Sequence, residues 1–476
     1  QMGNFLTAYD YEELRGAAAA GTPRELAGAG ERPLTPDDTP PPPPPPPRPS
    51  QPAAGTSAKD SSESQKPSEK PSEKPADAAA AGQVVYTVTG NDPPWPTDLC
   101  GLEALDNLPE GAVVRVWEGP QRIKTTPLNA SDQKLFRDTL ERIFHPDILL
   151  GKKIIFTPQE ITKVIRAVIP LFESEPVLIE DVPFDVTIVG DIHGQLFDLH
   201  RVFAEYAKDG KRGWENMKFV FLGDYVDRGR QSIEVVMALF CIKCLHPDRI
   251  FLLRGNHEFW KINKKYGFLM DFRDRYEHMS CVKYLWQLFN EAFCWMSIAA
   301  IVGNHYFCAH GGISTSGFTR RQMRGIYKPI FLANQDTLIQ DLTWSDPAGG
   351  LRGSAFNKDR GASIYFGYDE VCKALASMEV TAIFRGHSRI MEGYAVSWNV
   401  CYTIFTATNA DQTENKGAIA YVNPVGRIQF IVFGLDPIRL LWERRLRSVE
   451  YNDGNAPDPG EKTIIDSDGL SGALKK

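Results

Sequence analysis

Val186-Thr-Ile-Val189 runs straight into Gly190-Asp-Ile-His-Gly194, and Phe219-Val-Phe-Leu222 runs into Gly223-Asp-Tyr-Val-Asp-Arg-Gly229. Each is an apolar run of buried-strand length that stops at a polar loop, with glycine where the backbone must turn sharply or approach something bound. The same unit recurs downstream. Arg249-Ile-Phe-Leu-Leu253 precedes Arg254-Gly-Asn-His-Glu258, Tyr306-Phe-Cys308 precedes Ala309-His-Gly-Gly312, and Ala382-Ile-Phe384 precedes Arg385-Gly-His387. Strands that all deliver polar side chains from their carboxyl ends predict an α/β (α+β) domain with its site on one rim. Upstream, Thr157-Pro-Gln-Glu160 reads as a capping box with proline at the first helical position, and Ile161, Val164, Ile165 and Val168 follow at helical spacing.

Away from this region the composition changes. The chain has 476 residues and 34 prolines, many of them in the first hundred positions. Residues 1–93, rich in Ala, Gly, Pro, Ser and Lys, include Pro40 to Pro47 and a repeat from Lys66 to Pro75. Such a segment buries too little to offset its ordering entropy and predicts a disordered arm. Its proline run is either a spacer or a ligand for a proline-reading module. Residues 94–129, with Ala112-Val-Val-Arg-Val-Trp117, read as a short strand or flap. The main domain is expected over 130–445 and a second disordered tail over 446–476. Net charge is -7, which gives no reason to expect nucleic acid as a partner. No apolar run reaches the roughly 18 residues of a membrane span. The 8 cysteines form no paired framework, which suits an intracellular compartment, cytoplasmic or nuclear. Cys241 and Cys244 read as a buried helical face rather than a metal site. Met2-Gly3-Asn4-Phe5-Leu6-Thr7 matches the pattern for myristoylation at Gly3, against a plain free end.

The five loops bring Asp191, His193, Asp224, Asp227, Asn256, His257, His310 and His387 into one candidate set. Carboxylate, amide and imidazole together suit first-row divalent metals. The number of ligands exceeds the needs of one ion, and a bridged pair activates water and clamps an in-line phosphoryl displacement. Arg228, Arg254 and Arg360 can grip phosphate oxygens in bidentate fashion. A lone histidine is more often a core residue than a ligand. Four of the 9 histidines sit in these loops, however, so a purely structural explanation needs several coincidences.

G-D-x-H-G at Gly190, G-D-x-V-D-R-G at Gly223, G-N-H-E at Gly255 and H-G-G at His310 resemble the signature of the phosphoprotein phosphatase family. Trp344-Ser-Asp-Pro347 and Asp359-Arg-Gly361 are also in place, and the likeness is closest to the type-1 catalytic subunits. The resemblance implies a calcineurin-like metallophosphoesterase fold, a central β-sandwich flanked by helices. It also implies hydrolysis of phosphoserine and phosphothreonine in proteins at two divalent metal ions, Mn²⁺ or Fe/Zn. Asp191 and His193 would hold the first ion, Asp224 would bridge, and Asn256, His310 and His387 would hold the second. A bridging water would attack phosphorus directly, without a phosphoenzyme. His257 would act as general acid, oriented by Asp227. Arg228, Asn256 and Arg360 would bind the phosphate, with Arg254 and Tyr266 as secondary candidates. Phosphoprotein substrates and regulatory subunits are the implied partners.

The family's last active-site loop reads S-A-P-N-Y followed by cysteine, whereas this chain has Thr406-Ala-Thr-Asn-Ala-Asp411, and R-A-H-Q has become Arg385-Gly-His-Ser388. The aromatic residue over the cleft is gone, so altered substrate grip and weakened inhibitor binding are expected. The stretch Tyr394 to Trp398, in the type-1 docking groove, is changed as well. Two other readings remain: a degenerate phosphatase kept as a scaffold, and another dimetal phosphoesterase. The first is opposed by an intact ligand set, the second by Arg228 and Asp359-Arg360, which favour monoesters.

Overall fold

The computed structural model describes residues 128–436, apart from Glu277, His278 and Gly317, together with the backbone of Tyr86–Thr87 and Val114–Arg115. Those two dipeptides pair as parallel strands, the first inside the segment expected to be disordered and the second inside the expected strand. The rest of the N-terminal arm with its Gly3 and proline run, most of 94–129 and everything beyond 436 lie outside the described residues.

The recurring strand–loop units do not share one sheet. In chain order the sheet strands are β1 (Leu178–Val182), β2 (Val186–Val189), β3 (Lys218–Phe221), β4 (Ile250–Leu252), β5 (Ala299–Val302) and β6 (Tyr306–Ala309). They continue as β7 (Ala382–Arg385), β8 (Tyr394–Ser397), β9 (Cys401–Ile404), β10 (Gly417–Val422) and β11 (Ile428–Phe433). These strands form two large sheets, one of order β11-β10-β2-β3-β4 and the other β8-β9-β7-β6-β5-β1, while Asp346–Pro347, Ser354–Phe356 and Ile364–Phe366 make a small third sheet. In the first, β2, β3 and β4 are parallel and level, with Val189 opposite Phe221 and Phe221 opposite Leu252. In the second, β6 and β7 are parallel, with Cys308 opposite Phe384. Three functional loops therefore leave one sheet and two leave the other.

Alternation along the strands explains why the sheets stack. Val186, Ile188 and Val220 from the first sheet meet Ala300, Val302, Cys308, Phe384 and Ile404 from the second in one buried cluster. The next residues along point outward: Val189, Phe219 and Phe221 toward one helical layer, Ile301, Phe307 and Ile383 toward another. Period-2 alternation with both faces apolar is what a sandwich covered by helices on each side requires.

The helical layer over the first sheet contains α1 (Ala130–Ile143), α2 (Pro158–Ser174), α3 (Ser232–Leu245), α4 (Phe268–Tyr276) and α5 (Val282–Cys294). At the start of α2, Thr157 Oγ1 accepts from the Glu160 N–H at 3.2 Å and Glu160 Oε2 accepts from the Thr157 N–H at 2.7 Å, the reciprocal pair expected from the sequence. Ile161, Val164, Ile165 and Val168 form the buried stripe of α2. α3 is buried from Ser232 through Cys244, so it has no polar face. Burial pushes the thiols of Cys241 and Cys244 up, away from the thiolate a metal would need. Among the described residues no helix is long and apolar enough to cross a membrane.

Candidate metal and active site

The loops after β2, β3, β4, β6 and β7 are tied to one another by backbone bonds. The N–H groups of Ile192 and His193 both donate to the Asp224 carbonyl, at 3.0 and 2.9 Å, and Gly194 N–H donates to Tyr225 O at 2.8 Å. Gly386 N–H donates to His310 O at 2.9 Å, and Ala407 N–H donates to Asp191 O at 2.8 Å. The close approach needs glycine: a Cβ on Gly255 would stand 2.2 Å from Asp224 Oδ1 and 2.4 Å from Asp224 N. The turns also force non-glycine residues into the left-handed region, namely His193 (φ 45°), Asp224 (55°), Asp227 (71°), Arg228 (64°) and His387 (64°). Each costs roughly 1–3 kcal/mol, and such outliers persist where the surroundings over-determine them, as at functional sites.

Two ligand groups result. Ligand atoms of His193, Asp224 and His257 lie within 4.8 Å of one another, and so do those of Asp224, His310 and His387. All are buried, and Asp224 is common to both. Its Oδ2 lies 3.6 Å from His193 Nε2 and 3.2 Å from His310 Nε2, while Oδ1 accepts from the His257 N–H at 3.0 Å. Asp191 is at the edge of the first group, with Oδ2 3.8 Å from His193 Nε2 and Oδ1 accepting from the His387 N–H at 3.0 Å.

The donor set fits divalent cations. His193 Nδ1 faces Val226 O at 2.9 Å and His310 Nδ1 faces Leu222 O at 3.2 Å, so each donates outward and turns a bare Nε2 inward. Asn256 Oδ1 then meets His310 Nε2 at 2.8 Å and His387 Nδ1 at 3.0 Å, lone pair against lone pair. Turned over, the amide would instead donate to both imidazoles and to Asp224 at 3.2 Å. The residue thus suits a proton-sharing cluster in one orientation and a cation in the other. Electrostatics agree. Burial disfavours the Asp224 carboxylate, but His310, His257 and His193 outweigh it and hold Asp224 well below the usual range. Burial, reinforced by Arg360 and His310, keeps His387 neutral and ligand-competent.

Within the first group, His257 turns Nδ1 to Asp227 Oδ2 at 2.6 Å, and its Nε2 lies 3.9 Å from Asp224. Asp227 is fixed in turn by the Phe268 N–H on Oδ1 at 2.8 Å. Burial opposes a charge on His257, yet Asp224 and then Asp227 raise its pKa above that of an ordinary histidine. The Tyr266 ring lies 5.5 Å from the His257 ring, and the Arg228 guanidinium is 5.6 Å from the Tyr266 ring. Arg360 donates to Asp346 Oδ2 at 2.8 Å and to the His387 carbonyl at 2.9 Å, which places it on the other flank.

Arg254 is a correction to the sequence reading. It is 1% exposed, its Nε and Nη2 donate to the Glu258 carbonyl at 3.2 and 3.0 Å, and Nη1 donates to Ile330 O. Its guanidinium also stacks 3.8 Å over Phe259, so it braces the loop from behind and has no face for phosphate. Three contributors went unassigned in the sequence. Glu258 accepts N–H bonds from Asp224, Tyr225 and Gly255 at 2.8, 2.8 and 2.9 Å, locking two loops together. Asp346 accepts from Arg385 at 2.8 Å, Ser388 at 2.7 Å and Asn357 at 2.9 Å besides Arg360. Burial works against its ionisation, but Arg385, His387 and Arg360 hold it well below the carboxylate range. Asp411 pairs with Arg228 at 3.1 Å and with Arg389 at 3.2 Å. Asp346 was within reach of the sequence, since it lies in the Trp344-Ser-Asp-Pro347 string; nothing in the sequence pointed to Asp411.

Residues 184–390 match the calcineurin-like phosphoesterase family. Fold and site together define a metallophosphoesterase. Among solved structures the chain is similar to a protein serine/threonine phosphatase from Saccharomyces cerevisiae, itself described as similar to human phosphatase PP5. The identity is 27% and the TM-score 0.56, over 63% of this chain and 96% of that one. A cold-active protein-tyrosine phosphatase from a psychrophilic Shewanella matches at 16% identity and TM-score 0.38, over 54% of this chain and 83% of that one. Residues 184–390 thus form a calcineurin-like phosphoesterase domain, and the yeast phosphatase shares its fold over most of that neighbour's length.

Proposed function

We propose that this phosphoesterase hydrolyses phosphoserine and phosphothreonine in proteins, with His257 as general acid. The observation that carries the reading is the 2.6 Å contact that ties His257 Nδ1 to Asp227, in the first of two ligand groups that share Asp224. Preference for serine and threonine is supported by the yeast neighbour, and the motifs resemble those of the type-1 catalytic subunits.

Asp191, His193 and Asp224 would hold one divalent ion, and Asp224, Asn256, His310 and His387 a second. Bound there, the pair supplies Lewis-acid polarisation of the phosphate and a water of lowered pKa. The chain's own residues do the rest. Arg228 and Arg360, on opposite flanks, bind and orient the phosphate oxygens. A water oxygen forms the new bond to phosphorus as the bond to the serine or threonine oxygen breaks. That leaving oxygen takes the proton from His257 Nε2. Asp227 keeps the imidazole turned so that Nε2 faces the leaving group, and its charge favours the imidazolium until transfer. Positioned proton transfer of this kind contributes about 10²–10⁴-fold.

The test is phosphate release from a phosphothreonine peptide by the full chain with Mn²⁺, run beside His257→Ala with bound metal quantified in both. Release by the wild type, and its loss in a variant that still binds metal, supports the assignment. No release from a metal-loaded wild type sinks the activity and leaves the scaffold reading.

A further inference from the structure

We propose that Asp411 sets the affinity of the site for phosphate by competing for the guanidinium of Arg228, with Arg389 holding the carboxylate when substrate displaces it. The inference rests on the reading above in one respect, that Arg228 takes the phosphate. A single oxygen, Oδ2 of Asp411, accepts from Arg228 Nη1 at 3.1 Å and from Arg389 Nη1 at 3.2 Å. A carboxylate and a phosphate monoester present the same kind of oxygen anion to a guanidinium, so Arg228 Nη1 cannot serve both fully.

The loop that carries Asp411 is built, not slack. Thr406 Oγ1 accepts from the Gly190 N–H at 2.9 Å and donates to Ala418 O at 2.7 Å, which starts the loop beside the Asp191 turn. Buried Asn415 closes it, accepting from the Ala410 N–H at 2.8 Å and donating to Ala407 O at 2.8 Å. Thr408 is fastened to buried Asp198 through both its N–H and its hydroxyl, at 2.8 and 3.0 Å. Asn409 and Asp411 adopt φ of 51° and 50°. Two short polar residues in the left-handed region turn the chain so that the Asp411 carboxylate meets Arg228.

The geometry makes Arg389 the resting place. It donates to Ala410 O at 3.4 Å as well as to Asp411, so it stays with the loop when Arg228 swings to phosphate. All three charged side chains are between a third and a half exposed, so each pair is weakened by solvent and the competition is small in size. It tunes binding without blocking it, and product phosphate is released more readily for the same reason.

The experiment uses the metal-loaded full chain and reads KM and kcat on a phosphothreonine peptide, together with inorganic phosphate affinity by calorimetry. Asp411→Asn is the main variant, because asparagine tolerates the left-handed backbone. The expected result is a fall of about two- to fivefold in both KM and the phosphate Kd, the range an exposed ion pair allows. Asp411→Glu, which keeps the carboxylate, stays near wild type. Arg389→Ala raises KM in the wild-type background and does nothing once Asp411 is asparagine. A rise or no change in phosphate Kd for Asp411→Asn overturns the proposal, as does an Arg389→Ala effect that persists without Asp411. Since calorimetry needs no turnover, failure of the phosphate-release assay on phosphopeptides would count against the proposed substrate and leave this result readable.

Discussion

The buried ligand cluster and the arginine flank adjoin through Tyr266, yet they are built on opposite plans. Around Asp224 each side chain is buried and held by backbone bonds between loops, with the Gly255 approach admitting no Cβ. Around Arg228 the partners are half exposed and joined by ion pairs through one oxygen of Asp411. The first region can change only by breaking, because a buried charge without its partner costs several kcal/mol. The second can be adjusted by substitutions worth about 1 kcal/mol or less. Chemistry is thus placed where sequence change is least tolerated, and substrate grip where it is cheap.

The largest expected effect is in the first region: Asp224→Asn removes the group common to both ligand sets, so bound metal and phosphate release vanish together. His257→Ala, with metal retained, loses about 10²–10⁴-fold in turnover. Metal quantification beside peptide kinetics separates the two, and equal metal loss in both would erase the distinction between ligand and acid. Asp346→Asn comes next. It leaves Arg385, fully buried, without its carboxylate, and costs roughly 3–5 kcal/mol in urea unfolding at neutral pH. The pKa of Asp346 is lowered by folding, so its stabilisation is complete above the ordinary carboxylate value and is lost as pH falls toward the folded value. The gap between wild type and variant should therefore be widest above about pH 5 and close in acid. Unfolding at pH 7 and pH 3 checks it; a gap that grows in acid contradicts the pairing.

Smaller effects belong to the flank. Arg228→Ala should raise KM about tenfold, one charge-assisted hydrogen bond, and leave bound metal unchanged. Loss of metal in this variant would mean that the two regions are not separable. Asp411→Asn, at a few-fold and in the opposite direction, is the finest test of the contrast.

Legibility in the sequence follows the same division. The strand–glycine–loop units could be read because a buried strand must be apolar and its turn into a crowded centre needs glycine, as at Gly223 and Gly255. Asp191, His193, Asp224, Asn256, His310 and His387 are brought together as their loops suggested. The sequence did not show that the loops come from two sheets, since an apolar run carries no label for the sheet it joins. Arg254 was misplaced because a guanidinium next to a site motif looks alike whether it faces phosphate or, as here, the carbonyls of Glu258 and Ile330. Asp411 was invisible for a third reason: its partners Arg228 and Arg389 are distant in sequence, and ion pairs of this kind leave no periodic trace. Ser388 was visible as a departure from the family pattern but not its role, which is to serve the Asp346 network by donating to Asp346 and accepting from Arg385 at 2.7 Å.

That the proposed ligands come from two sheets also bears on when the site is completed during the protein's manufacture. The His387 N–H meets Asp191 across 196 positions of sequence, and His310 meets the Leu222 carbonyl across 88. A growing chain on the ribosome acquires Asp191, His193, Asp224 and Asn256 long before β7 has emerged. Such long-range closure comes late in folding. A half-made chain therefore holds four of the proposed ligands and lacks His310 and His387, and on the proposed reading hydrolysis waits for both sheets to close.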